Sequence, residues 1–296
     1  MKVGVVGLGS MGYGIASSLV RAGHQVHGAD VNAQAVERLR ANGGSKADIM
    51  SAAAELNAVL VVVLNAAQTE TVLFGEEGLV NRLAPGTVVI TCVTVAPDYA
   101  RSAADRCASR GVHFLDAPIS GGSVKAAEGR LSVMASGAPE AFAAARPVLE
   151  AMAETVFELG DSAGAGSAMK AVNQMLAGIH IAAMAEAITF AMSQGIEPAK
   201  FLEVIPFCAG TSWMLENRAP HVVAGDYAPR SAIDIWPKDL GIVLDVARTS
   251  RFAAPITAAA LQQFICAAGM GLGREDDAAV AKVYARNAGL NLPGQH

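Results

Sequence analysis

Met1-Lys2-Val3-Gly4-Val5-Val6 runs directly into Gly7-Leu8-Gly9-Ser10-Met11-Gly12, and Asp30 follows eighteen residues after Gly12. Val3, Val5 and Val6 read as a short buried strand. Ile15, Ala16, Leu19 and Val20 then recur at helical spacing, and Gly23 stands where that helix should stop. A G-x-G-x-x-G triplet by itself is a common turn. Placed between a strand and a helix, with an acidic residue at this distance, it is a dinucleotide-binding fingerprint. Gly7 lets the chain leave the strand sharply, Gly9 lets a pyrophosphate approach the backbone, and Gly12 lets the helix pack close to the sheet. The helix start offers unpaired N–H groups to the phosphates. The next strand, about residues 25–29, ends at Asp30, whose carboxylate would accept from the adenosine ribose hydroxyls and repel a 2′-phosphate. That favours NAD over NADP. The alternative is a nucleotide-free glycine turn with Asp30 capping the following helix, a task Asn32 could also perform.

The chain of 296 residues predicts two domains. Its 52% hydrophobic and 17% charged content allows a large core. A net charge of −5 with scattered Lys and Arg argues against a nucleic-acid surface. Cys92, Cys107, Cys208 and Cys266 have no metal-ligand spacing, so no metal site is expected, and they suit a reducing compartment. The fold pattern begins at residue 2, which leaves no room for a targeting peptide, and a cytoplasmic protein is expected. The mean hydropathy of +0.37 raises the question of a membrane span. In the most apolar stretch, 171–192, Asn173, Gln174, His180 and Glu186 interrupt the run, so a buried helix and no membrane segment are expected.

Apolar strand-like runs fall at 58–64, 87–92, 112–115, 131–135 and 156–159, with helical segments between them, notably 97–110 and 139–152. This alternation predicts an α/β, doubly wound Rossmann-type domain. After the small-residue break at 160–166 the pattern is helical only. A long helix is expected near 167–194, with others near 198–205, 212–217, 238–248, 254–269 and 276–288. The expected domains are residues 1–161, binding the nucleotide, and an all-helical 162–296, with substrate in the cleft between them.

A nicotinamide dehydrogenase needs a group that exchanges the hydroxyl proton while hydride moves. Lys170, Asn173 and Gln174 open the long helix on one face. A lysine in a dry cleft beside a cationic nicotinamide would have a lowered pKa, suited to such a base. A solvated lysine and two structural amides are the alternative. Ser120-Gly121-Gly122, after the strand ending near Asp116, could form a donor nest for a carboxylate, or a simple tight turn. Lys238, in Lys238-Asp239-Leu240, could reach the cofactor or lie on the surface. Trp213 and Asn217, four apart, could face the substrate tail or merely pack.

Gly7 to Gly12, Asp116 to Gly122, Gly166 with Lys170 and Asn173, and Lys238-Asp239-Leu240 together resemble the four fingerprints of the β-hydroxyacid dehydrogenases, the 3-hydroxyisobutyrate dehydrogenase-like family. The resemblance spans essentially the whole chain. It implies Lys170 as acid/base, Ser120, Gly121 and Gly122 as the carboxylate site, Thr94 near the nicotinamide and Lys238 over cofactor and substrate. Asn65-Ala66-Ala67-Gln68, Ser212-Trp213-Met214 and His221-Val222-Val223 resemble the threonate dehydrogenase subgroup, which oxidises the C2 hydroxyl of a four-carbon sugar acid with NAD. The implied cofactor contacts are Gly7, Leu8, Gly9, Ser10, Met11, Gly12, Asp30, Val31, Asn32, Leu64, Asn65, Thr94 and Lys238. The implied substrate contacts are Ser120, Gly121, Gly122, Lys125, Trp213 and Asn217, with Lys170, Asn173 and Gln174 catalytic. Many relatives carry Asn where this chain has Gln174. Lys125 could hold an acidic substrate or face solvent. A tartronate semialdehyde reductase, a 3-hydroxyisobutyrate dehydrogenase and a nucleotide sensor without turnover remain the alternatives. The partner expected is a small hydroxy acid, in a homodimer or homotetramer, because the long apolar helix needs more cover than its domain provides.

Overall fold

The computed structural model of the protein describes residues 1–294. The chain divides into two compact units, Met1–Lys170 and the remainder from Ala171. The first opens as β1 (Lys2–Val6), α1 (Ser10–Arg21), β2 (Gln25–Ala29), α2 (Ala33–Ala41), α3 (Ile49–Ala52), β3 (Ala58–Val61), α4 (Ala66–Phe74), β4 (Val88–Thr91), α5 (Pro97–Ala108) and β5 (His113–Asp116). The five strands form one parallel sheet in the order β2-β1-β3-β4-β5.

Burial on both faces explains why β1, β3, β4 and β5 carry apolar residues at consecutive positions. Val3, Val5, Leu60, Ile90 and Leu115 bury into one core layer, and Val6, Val59, Val61, Val89 and Phe114 into the other. A parallel sheet covered on both faces needs such runs.

The chain then leaves this sheet. β6 (Ile119–Ser120), α6 (Gly122–Glu128), β7 (Leu131–Ala135), α7 (Pro139–Met152) and β8 (Ala153–Glu158) build a second sheet, β6-β7-β8. β6 is antiparallel to β7, with Ser120 opposite Ser132. Two residues carry no readable period, so no pattern along the chain announces this strand.

α8 (Ala165–Ser193) starts in the first unit and ends in the second. The units divide after Lys170, nine residues later than the glycine break at 161 suggests. The reason is local: Gly166 and Ser167 in the first turn of α8 hydrogen-bond to Ser136 and Asp116. The second unit continues with α9 (Pro198–Val204), α10 (Trp213–Ala224), α11 (Ile235–Thr249), α12 (Pro255–Ala267) and α13 (Ala281–Asn287). Its core gathers Ile181, Met184, Ile188, Leu240, Phe264 and Val283, with Trp236 stacked on Phe264 at 5.4 Å between centroids. α10 runs beyond the expected 212–217, through Pro220 to Ala224. Burial of Ala219 and Val222 outweighs the hydrogen bond that a proline removes. Among the described residues, two helical runs, Ala165–Ser193 and Pro255–Leu272, are long and apolar enough to cross a membrane by length and composition. In α8, Ile181, Met184, Ala185 and Ile188 are all buried within the second unit.

Candidate active site

The glycine turn after β1 is held by strand pairing and by one carboxylate. Gly7 N donates to Ala29 O at 2.8 Å, and Gly7 has a φ of 93°, which its lack of a side chain permits. A Cβ at Gly12 would lie 1.8 Å from Gly7 O, so the turn closes only around a glycine there. A Cβ at Gly9, the residue preceding α1, would meet no atom within 4 Å. That open side of the backbone is where a pyrophosphate needs room, and the residues present fit a dinucleotide. Ser10 is exposed, Met11 half-buried and Leu8 buried beneath the turn.

Asp30 performs a task that spacing does not reveal. Its Oδ2 accepts from Leu8 N at 2.6 Å, and its Oδ1 from Asn32 N at 2.7 Å. The carboxylate therefore ties the end of β2 to the glycine turn. The cap of α2 is Asn32, whose Oδ1 accepts from Gln34 N at 3.0 Å. Asp30 is thus not the cap, and its remaining lone pairs stay open to a donor such as a ribose hydroxyl. Val31 beside it is fully exposed. After β3, Asn65 caps α4 by accepting from Gln68 N at 2.9 Å, and Gln68 Oε1 accepts in return from Leu64 N. Leu64 is exposed and Thr94 half-buried beyond β4.

A second constellation gathers around the end of β5. Asp116 is fully buried. Its Oδ2 accepts from Gly164 N at 3.0 Å, Ser167 N at 2.8 Å and Ser136 Oγ at 3.4 Å, and its Oδ1 from Ser167 Oγ at 2.7 Å. Burial pushes this carboxyl above the usual range, against the opposing pull of hydrogen bonds from Ser167, Gly164 and Ser136. Asp116 thereby anchors the first turn of α8 next to β6. One turn further on, Lys170 is buried, and its Nζ donates to Ile119 O at 2.8 Å. Ile119 directly precedes Ser120, Gly121 and Gly122. The φ angles of Gly121 and Gly122 are 132° and 76°, and Ser120 and Gly121 are half-buried. Lys125, on α6, pairs across 3.8 Å with Glu154 and is 44% exposed, so its charge already has a surface partner.

In the second unit, Asn173 Nδ2 donates to Gln174 Oε1 at 2.9 Å, and Gln174 Nε2 donates to the buried Asp239 at 2.5 Å. Lys238 Nζ stands 2.5 Å from Asp239 Oδ1. Trp213 and Asn217 are both exposed on α10, and Asn217 Oδ1 accepts from Arg218.

Comparison with known proteins fits this geometry. Residues 2–160 match the family described as the NAD binding domain of 6-phosphogluconate dehydrogenase. Residues 164–284 match the family described as NAD-binding of NADP-dependent 3-hydroxyisobutyrate dehydrogenase. An L-threonate dehydrogenase of Cupriavidus necator is 47% identical over 99% of this chain and 98% of its own length. One from Escherichia coli (strain K12) is 48% identical over 99% and 96%. The solved structure of a 3-hydroxyisobutyrate dehydrogenase from Salmonella typhimurium superposes with a TM-score of 0.91 at 46% identity, over 96% of this chain and 99% of that one.

The chain belongs to the 3-hydroxyisobutyrate dehydrogenase-like family.

It is an NAD-dependent hydroxyacid dehydrogenase with the family's order, a Rossmann-type unit followed by a helical one. Within that frame, the structure brings Lys170 together with the 119–122 turn in one unit. Asn173, Gln174 and Lys238 meet around Asp239 in the other. Two residues that organise these groups, Asp116 and Asp239, are not singled out by sequence. Both stand inside the quoted fingerprints, and their burial is the signal that spacing does not supply.

Proposed function

We propose that the chain oxidises the C2 hydroxyl of a four-carbon sugar acid, L-threonate, to the 2-keto acid 2-dehydro-L-erythronate. The observation that carries this reading is the buried amine of Lys170, 2.8 Å from the carbonyl adjoining Ser120, Gly121 and Gly122. It is supported by full-length likeness to proteins named L-threonate dehydrogenase. Gly7 to Gly12, Asp30, Val31, Asn32, Leu64, Asn65, Thr94 and Lys238 would hold NAD, and bound NAD supplies the hydride acceptor. Ser120 Oγ and the N–H groups of Gly121 and Gly122 hold the substrate carboxylate. The uncharged Lys170 amine takes the proton from O2, and the Ile119 carbonyl keeps that nitrogen in place. Asn173 and Gln174 orient the amine and a substrate hydroxyl. Trp213 and Asn217 would line the substrate tail, and Lys125, held by Glu154, would act only as a nearby positive charge.

The free thiols of Cys92, Cys107, Cys208 and Cys266 suit a cytoplasmic setting. The assembly we propose is a homodimer or homotetramer. The competing substrate is 3-hydroxyisobutyrate, since the Salmonella structure at 46% identity bears that activity's name. A panel of C3 to C6 hydroxy acids at fixed NAD decides. The expected result is the highest kcat/KM for L-threonate. A higher value for 3-hydroxyisobutyrate, or for tartronate semialdehyde in the reducing direction, overturns the assignment.

A further inference from the structure

Asp239 is 2% exposed, and its Oδ1 pairs with Lys238 Nζ at 2.5 Å. Its Oδ2 accepts from Gln174 Nε2, and Gln174 Oε1 in turn accepts from Asn173 Nδ2 at 2.9 Å. A buried carboxylate is costly unless it is paired and hydrogen-bonded, and Asp239 is held on one oxygen by Lys238 and on the other by the Gln174 amide.

The chemistry of this row gives it a direction. An ionised carboxylate accepts and never donates. Gln174 must therefore turn its NH2 group to Asp239, which leaves Oε1 as its acceptor. Asn173 must then offer its own NH2 group to that oxygen. Its Oδ1 is left over and makes no hydrogen bond among the described residues. Without the carboxylate, either amide could flip end for end, and Asn173 would present a donor or an acceptor indifferently.

We infer that Asp239 is a positioning residue that fixes Asn173 Oδ1 as a hydrogen-bond acceptor for a substrate hydroxyl other than the one oxidised. The inference rests on the hydroxyacid dehydrogenase reading above. Asn173 follows Lys170 by three residues, so it lies on the same helical face about 4.5 Å further along the axis. A site acceptor left unpaired by a deoxy substrate penalises that substrate, so the row selects polyhydroxy acids.

The test is a ratio: kcat/KM for L-threonate over kcat/KM for 2,4-dihydroxybutanoate, and over 2,3-dihydroxybutanoate, at saturating NAD. Saturation removes any effect transmitted through Lys238. Wild type is expected to prefer the fully hydroxylated acid by roughly tenfold or more over at least one analogue. Asp239→Asn keeps the shape but lets the row reverse, and the preference should fall at least about threefold while the thermal midpoint holds. Adding Gln174→Glu to Asp239→Asn moves the acceptor-only group one place along the row, and the preference should return. Gln174→Met, which breaks the row, should lose it.

An unchanged ratio in both Asp239→Asn and Gln174→Met overturns the inference, as does an equal loss on all three acids. Should Asp239→Asn fail to fold, Gln174→Met and the double variant decide between the same two outcomes. Failure of wild type on L-threonate overturns the substrate assignment instead. The ratio is then taken between the best acid of the panel and its deoxy analogue.

Discussion

At the scale of single residues, Lys170 and Asp30 show how differently a side chain and its spacing can speak. Lys170 opens a helix, where a lysine is ordinarily exposed, yet its nitrogen is buried against the Ile119 carbonyl. Lys170→Ala should lower kcat by roughly 10²–10⁴-fold. NAD affinity, followed by fluorescence titration, should hold. Turnover near the wild-type rate would remove Lys170 from the role of base. Asp30 is legible as an acid after the second strand, but its bond to Leu8 N joins positions twenty-two apart and is not. Asp30→Ser should therefore do two things. It should shift the NAD to NADP kcat/KM ratio toward NADP, and it should cost about 1 kcal/mol in denaturant unfolding. An unchanged cofactor ratio places ribose discrimination elsewhere. Asp116 carries a pH prediction. Its folded-state proton affinity is raised, so it stabilises the fold below the unfolded value, about 3.9, and loses that contribution as pH rises through the folded value. The thermal midpoint of wild type relative to Asp116→Asn should fall as pH rises above about 4. A constant difference would contradict it.

At the scale of elements, the β1–α1 turn is almost fully readable, because its glycines, strand and helix are contiguous. The structure adds that the glycines are not equivalent. Gly9→Ala meets open space and keeps an ordinary φ of −65°, so the fold should survive while NAD binding weakens about tenfold or more. Gly12→Ala drives a methyl group into the Gly7 carbonyl. It should destabilise by more than the roughly 1–3 kcal/mol usual for overpacking, because backbone cannot turn aside as a side chain can. Equal thermal midpoints for the two variants would refute this distinction. β6 is not readable, since two residues set no period and depend on pairing with β7. The expected end of α10, ahead of Pro220, falls short for a similar reason: core burial of Ala219 and Val222 is invisible along the chain.

At the scale of the whole molecule, α8 exposes Met169, Val172 and Leu176, three apolar side chains at helical spacing, with Phe190 exposed further along. Such a stripe suits a subunit contact. The protein should sediment as a multiple of its 30.3 kDa chain, and Leu176→Glu should shift that equilibrium toward the monomer. A wild-type monomer at assay concentrations would dismiss the proposed assembly.

Residues close along the chain determined the Rossmann-type order, the nucleotide turn and the helical second half, because periodicity and glycine placement are local properties that survive without tertiary contacts. The tertiary structure alone decided which polar groups meet. Asp116 finds Ser167 fifty-one positions away, and Gln174 finds Asp239 sixty-five positions away. Only packing brings such groups into reach, and only burial makes their hydrogen bonds obligatory.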